Sequence, residues 1–150
     1  TARIAAGAAA RLGTMKRSNQ VSALMLMGVR PADYLLTPLT YGFVLALPLV
    51  TLGAIVLATL ASAAAAGLVS DVTMVRFCAA FFHSTGLPDL RAVLAKAVLS
   101  GYLVSVSTYH LAMGPKRSGQ DVGDAVNQSI VVGMLTTLLV HGLFTVWQFT

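Results

Sequence analysis

The chain has 150 residues, of which 57% are hydrophobic and only 10% are charged, whereas a soluble globular domain carries about 25% charged residues. Its net charge of +5 does not indicate nucleic-acid binding, because the basic residues flank apolar runs and form no stripe interleaved with aromatic side chains. A single cysteine, Cys78, excludes an internal disulfide and a two-cysteine metal site.

Three stretches contain no Asp, Glu, Lys or Arg, namely residues 34–70, 97–115 and 125–150. A helix needs roughly 20 mostly apolar residues to cross the hydrocarbon core of a bilayer. We therefore expect an all-α, polytopic membrane protein that forms a helical bundle. The predicted spans are residues 36–66, 94–113 and 125–148.

The first 33 residues are predicted to contain the end of a helix already under way, over residues 1–13, and then a second, short helix. Residues 1–13 are rich in alanine, which favours a helix. Residues 15–27 are predicted to form one short amphipathic helix with a polar first half and an apolar second half. Gly28 and Pro31 signal where this helix stops.

The later connections carry the remaining charges. Between the first two predicted spans, Phe77, Phe81 and Phe82 favour a helix at the bilayer interface, and Asp89 is predicted as the N-cap of the next helix. Residues 114–124 are predicted to form a polar loop. Lys and Arg are more numerous in residues 1–33 and 114–124 together than between them, which predicts that both segments are cytoplasmic.

The sequence shows no catalytic motif, no metal-ligand pattern and no nucleotide-binding loop. We predict no catalytic residue, no metal and no cofactor. His141 is the one intramembrane polar candidate, because it lies well inside the last predicted span, where an ionisable group is costly. A neutral imidazole hydrogen-bonded to a neighbouring helix is the alternative to a functional role.

The order of several motifs resembles the MlaE-type ABC transporter permeases. Residues 13–31 are similar to that family's signature "GtM+xtEQidALxvMgvdP", which joins two spans on the cytoplasmic side. Leu-Pro-Leu at residues 47–49, Asp89 with Lys96, and the glycine-rich residues 119–125 resemble later family motifs in the same order. The resemblance implies one permease domain over residues 1–150, the C-terminal portion of such a permease, without the family's upstream interfacial helix and first spans.

The resemblance also implies a function and partners. Such permeases move phospholipids or related lipids in the bacterial inner membrane. They pair as a homo- or heterodimer, bind two ATPase subunits and work with a periplasmic MCE-domain lipid-binding protein. A cytoplasmic coupling helix inserts into the ATPase; in this chain it is Met15, Lys16, Arg17, Ser18, Gln20, Val21, Ala23, Leu24 and Met27. The second cytoplasmic loop is represented by Gly119, Val122 and Gly123.

The chain departs from the family pattern by losing acids. Arg11 and Asn19 stand where the family usually has Glu, His141 stands where it often has Asp, and the chain has no Glu at all. These changes suggest a heterodimer whose other permease supplies the acids, or an ATPase of altered charge. The other functions considered are a structural membrane subunit and an ion or proton pathway that uses His141.

Overall fold

The computed structural model describes residues 1–69 and 73–149, and this part of the chain is built from helices. A π-helical turn, Ala32–Leu36, leads into the third of them. The expected all-α fold class is confirmed. In chain order the helices are α1 (Ala2–Arg17), α2 (Gln20–Leu26), α3 (Thr37–Val69), α4 (Met74–Ser84), α5 (Leu87–Met113) and α6 (Gly119–Phe149).

Within the described residues, three helical stretches are long and apolar enough to cross a bilayer: Ala32–Leu68, Leu87–Met113 and Gly119–Gln148. Each contains one predicted span and begins several residues before it. The helices start early because polar residues form their first turns, and a search for uncharged runs passes over such residues. The depths at which these helices enter the bilayer remain predictions.

Large apolar side chains stay exposed along the outer faces of the long helices. A soluble monomer rarely leaves apolar patches of this extent open to water. The pattern therefore fits a bundle whose outer surface meets lipid. On α3 and α6 the exposed side chains include Leu45, Leu49, Leu57, Leu138, Leu139 and Leu143.

Helix α5 occupies the centre of the bundle and packs against α1, α3 and α6. Its buried residues recur three and four positions apart, so they form one face, and most of them are small. Small residues let helix backbones approach closely where no hydrophobic force drives association in lipid. The buried residues of α5 are Ala97, Ser100, Gly101, Val104, Ser105, Thr108 and Ala112.

Helix α5 approaches α3 closely at Gly101, which faces the backbone of Phe43. Four residues away, Ser105 Oγ lies 3.2 Å from Thr40 Oγ1 and joins the same two helices. A small apolar core lies beside this contact and brings together Ala5, Phe43, Leu47 and Val104.

Helix α1 packs lengthwise against α5 and α6 and runs antiparallel to α6. Gly13 approaches Val122 near one end of the pair, and Ala5 approaches Gly133 further along. The face that α1 buries is flat for most of its length, because Ala5, Ala9 and Gly13 are small; Leu12 is the largest residue on it.

Helix α5 begins differently from the prediction. Gly86, not Asp89, is the N-cap. Asp89 lies in the first turn, where its Oδ2 accepts a hydrogen bond of 3.0 Å from the Gly86 N–H. Pro88 in the same turn explains the shift, since proline is favoured at the first helical positions and the cap then precedes it.

Candidate functional site

Residues 15–27 do not form one amphipathic helix, so that prediction is wrong. Met15 to Arg17 end α1, Ser18 and Asn19 form a turn, and Gln20 begins α2. Asn19 has a positive φ of 60°, in the left-handed region. Asparagine enters this region more readily than most residues, and its side chain competes with helical hydrogen bonds.

Ser18 also helps to end α1. Its hydroxyl donates to the carbonyl of Thr14 at 2.9 Å, and its N–H donates to the same carbonyl. The Asn19 N–H turns back to the Lys16 carbonyl at 3.3 Å. The adjacent serine and asparagine were therefore the sequence signal for the break between α1 and α2. The prediction missed this signal because the apolar periodicity continues across the two residues.

The predicted coupling residues fall into three groups by exposure. Val21 is 1% exposed and holds α2 against the bundle. The half-buried group is Met15, Lys16 and Leu24. The exposed group is Arg17, Ser18, Gln20, Ala23 and Met27.

The most exposed apolar side chains of α2 lie at its C-terminal end. Met25 is 55% exposed, Leu26 is 90% exposed and Met27 is 69% exposed. We call these three residues the apolar tip. Met25 and Leu26 were missed as site residues, because the spacing of Val21, Leu24 and Met25 indicated one common face, and only the packing of α2 reveals which side points outward.

The apolar tip is held by a Schellman motif, as the Gly28 stop signal predicted. Gly28 has a φ of 78°, its N–H donates to the Met25 carbonyl at 3.0 Å, and the Val29 N–H donates to the Leu24 carbonyl at 3.0 Å. These two bonds satisfy carbonyls at the end of α2. The tip is therefore presented on a fixed turn.

The second predicted cytoplasmic segment meets the end of α1. A Cβ on Gly13 would stand 3.1 Å from Val122 Cγ1, and one on Gly119 would stand 3.4 Å from the Arg17 Nη1. Of the predicted loop residues, Gly119 and Val122 are thus brought beside the coupling segment. The exposed Gly123 has no side-chain neighbour within 4 Å of an added Cβ.

Residues 119–124 are helical, which corrects the prediction of a loop over 114–124. Ser118 and Asp121 form a capping box that starts α6 early. The Asp121 N–H donates to Ser118 Oγ at 3.2 Å, and the Ser118 N–H donates to Asp121 Oδ2 at 2.7 Å. The Ser-x-x-Asp spacing was a readable signal for this start.

This end of the bundle is basic. We call it the basic end and define it by Lys16, Arg17, Arg30, Lys116 and Arg117. Arg17, Arg30 and Arg117 are exposed, and the two lysines are half-buried. The Lys116 Nζ donates to the Leu111 carbonyl at 3.1 Å, so this lysine also caps the last turn of α5.

His141 lies on the outer surface of α6. Its Nδ1 is 2.8 Å from the Thr137 carbonyl, one turn earlier in the same helix. The hydrogen bond that the described residues give His141 is thus within its own helix, and a bond to a neighbouring helix stays a prediction. Since a carbonyl only accepts, Nδ1 carries a proton in this contact. Thr1, Ala2 and Thr137 line a shallow groove beside the ring.

At the opposite end of the bundle, Lys96 joins α5 to α6. Its Nζ donates to Gln148 Oε1 at 3.3 Å and lies 5.9 Å from the centre of the Phe144 ring. Asp89, its partner in the family motif, is engaged by the N-terminus of α5 instead. In the part of the chain that the structure describes, no cluster of three or more His, Cys, Asp or Glu could hold a metal ion.

Comparison with known proteins gives a consistent match along the chain. A family model described as Permease MlaE matches residues 1–147. This range includes α1, the apolar tip, the basic end and nearly all of α6.

Individual relatives are distant and longer. The chain is 26% identical over 133 residues to the protein TRIGALACTOSYLDIACYLGLYCEROL 1, chloroplastic, of Arabidopsis thaliana, covering 89% of this chain and 38% of that protein. It is 27% identical over 149 residues to a "Probable ABC transporter permease protein" of Rickettsia typhi, covering 96% of this chain and 58% of that protein. A Synechocystis protein described in the same words is 22% identical over 145 residues, with coverages of 97% and 55%. The chain thus spans 38–58% of the lengths of these relatives.

Proposed function

The chain belongs to the MlaE permease family, and on that basis we propose that it forms part of the permease subunit of an ABC transporter that moves phospholipids or related lipids across or between membranes. The name of the Arabidopsis relative contains trigalactosyldiacylglycerol, a lipid, which supports a lipid cargo. The outer surface of exposed leucines supports a site of action inside a bilayer.

ATP hydrolysis is assigned to a separate ATPase subunit in two copies. The chain carries no Gly-x-x-x-x-Gly-Lys-Ser/Thr loop for the phosphates of a nucleotide. The other proposed partners are a second permease subunit and a periplasmic MCE-domain lipid-binding protein. The proposed location is the bacterial inner membrane; the Arabidopsis relative is chloroplastic.

The observation that carries the proposal is the apolar tip. Leu26 is 90% exposed, and Met25 and Met27 are mostly exposed, at the end where α1 ends and α6 begins. Large apolar side chains on a short, fixed turn are suited to fill a pocket on a partner, as interface anchors do. An ATPase groove is the partner that the family membership implies.

The packing of α1 supplies a route from the docking site to the spans. The turn at Ser18 and Asn19 joins α2 directly to α1, and α1 packs against both α5 and α6. A displacement of the apolar tip by the ATPase would therefore move α1 against two of the three candidate spans. Rigid-body shifts of packed helices are a common form of switching transition.

The test is co-purification of the ATPase subunit with the full-length protein from membranes, comparing wild type with Leu26→Asp. Burying an unpaired carboxylate in an apolar pocket costs several kcal/mol. Leu26→Asp is therefore expected to lose the ATPase while still inserting into the membrane. Leu24 is a weaker position for this change, since it is half-buried within the chain itself.

Leu87→Asp is the matched control. Leu87 is 72% exposed, it begins α5 at the opposite end of the bundle, and an acid in a first helical turn is favourable. This variant should retain the ATPase. Equal recovery of the ATPase with Leu26→Asp would contradict the docking role and favour a structural membrane subunit.

A further inference from the structure

The charges around the apolar tip are mostly positive. Arg17 and Arg30 flank α2 in sequence and are exposed, and the first carboxylate along the chain is Asp33. Arg117, from the connection between α5 and α6, is also exposed. The tip therefore lies at an end where three guanidinium groups are free to meet a partner.

The carboxylates at this end offset part of this positive charge. Asp121 accepts hydrogen bonds of 2.7 Å from the N–H groups of Arg117 and Ser118, so it is engaged in starting α6. Asp33 and Asp124 are exposed. Five basic side chains of the basic end thus stand against three carboxylates, so the net charge of this end is positive.

The apolar residues of α2 are arranged for a pocket rather than for a membrane surface. A helix lying on a bilayer presents an apolar face along its length. In α2 the other large apolar residue near the start, Val21, is 1% exposed and faces the bundle, while Gln20, Ser22 and Ala23 are exposed. Apolar exposure is thus confined to the tip, which favours a protein groove over anionic lipid headgroups.

Resting on the proposed function, we propose that the ATPase surface that receives α2 is an apolar pocket rimmed by carboxylates. Complementary charge across an interface speeds association and excludes partners of the wrong sign. An apolar centre with a charged rim is also the ordinary anatomy of a specific interface. This ATPase would accordingly discriminate against a permease that carries an acid at the α1–α2 turn.

Asn19 allows a test in which only charge changes. It is exposed at the turn, and its φ of 60° strains most residues. Asn19→Glu and Asn19→Gln introduce side chains of nearly equal size and the same backbone strain, but only Glu adds a negative charge. The measurement is the Kd of the full-length protein in detergent for the ATPase subunit that purifies with it, at 50, 150 and 500 mM NaCl.

At 50 mM NaCl we expect Asn19→Glu to bind the ATPase roughly fivefold more weakly than Asn19→Gln does. A change in Kd of this size corresponds to one interaction between exposed charges. The difference should shrink at 500 mM, where the Debye length falls to a few ångströms. If Asn19→Glu bound the ATPase as tightly as Asn19→Gln or more tightly, the proposal that carboxylates rim the pocket would be wrong. If Leu26→Asp still abolished binding in that case, the docking function would stand.

Neutralising the exposed arginines gives a second test of the proposed carboxylate rim. Replacing Arg17, Arg30 and Arg117 by Gln should weaken ATPase binding and flatten its salt dependence, whereas replacing Arg76 and Arg91 at the opposite end should leave both unchanged. If the three basic-end changes left Kd and its salt dependence as in wild type, the guanidinium groups would serve lipid headgroups instead, and the proposal would be wrong. Wild-type protein that bound no ATPase at 50 mM NaCl would overturn the proposed function itself.

Discussion

Gly101 lies so close to Phe43 that a Cβ atom on the glycine would stand 2.9 Å from the Phe43 carbonyl oxygen and 3.3 Å from the Cα of Val44. Both neighbours are backbone atoms, which cannot rotate away. Pro48, one turn further along α3, has no N–H for the Val44 carbonyl. This close contact between α3 and α5 thus lies beside a carbonyl that lacks its usual helical donor.

Gly101→Ala is expected to force α3 and α5 apart and to destabilise the protein by about 1–3 kcal/mol, the usual cost of overpacking. Thermal unfolding of the detergent-purified protein measures the effect. Gly53→Ala is the control, because an added Cβ there meets nothing within 4 Å and alanine favours a helix. If both variants melted alike, α3 and α5 would not be in the contact described.

Thr108→Val is expected to stabilise the protein by about 1 kcal/mol, because it removes a buried polar atom that has no partner. Thr108 is 1% exposed, and no hydrogen bond reaches its Oγ1 within the described residues. Valine has nearly the same shape. Ser105→Ala serves as the contrast: it deletes a hydroxyl that contacts Thr40 and should lower the melting temperature.

Val21 and Leu26 should separate stability from docking. Val21→Ala removes a side chain that is 1% exposed and should lower the free energy of unfolding by about 1–2 kcal/mol, as for other truncations in a core. Leu26→Ala should leave stability within about 0.5 kcal/mol, as for most surface changes, but reduce ATPase recovery. Paired melting and co-purification measurements check this, and a reversed pattern would mean that α2 docks with its other face.

Asp121→Ala should loosen the first turn of α6, because it removes the acceptor side of the capping box. Its Oδ2 accepts hydrogen bonds from the N–H groups of Arg117 and Ser118. Hydrogen exchange over residues 117–122 should therefore become faster, with little change in the middle of α6. Asp124→Ala, at an exposed position one turn later, should leave exchange unaltered.

Much of the fold follows from local sequence, because an uncharged run long enough to cross a bilayer can form few structures other than a membrane-spanning helix. The span predicted over residues 36–66 lies within one long helical stretch, Ala32–Leu68. The stop at Gly28 followed from a residue that readily adopts a positive φ. The family resemblance rested on short motifs kept in the right order, and the match over residues 1–147 agrees with it.

The errors have local causes of two kinds. At Ser118 and Asp121, side-chain hydrogen bonds to the backbone decided where α6 begins, and at Asn19 a left-handed backbone separated α1 from α2; apolar periodicity registers neither. The outward direction of Met25 and Leu26 depends instead on how α2 rests on the bundle through Val21. The sequence of a seven-residue helix does not show which of its faces will pack against the rest of the fold.

The flat face of α1 has a consequence for motion. Interlocked side chains resist lengthwise sliding, since each must climb over its neighbour, whereas surfaces of alanine and glycine present few obstacles. Ala5, Ala9 and Gly13 give α1 such a surface over three turns. Shear between packed helices is made of small slides of this type. On this face Leu12 and the contact of Gly13 with Val122 would resist such a slide, whereas the alanines would not.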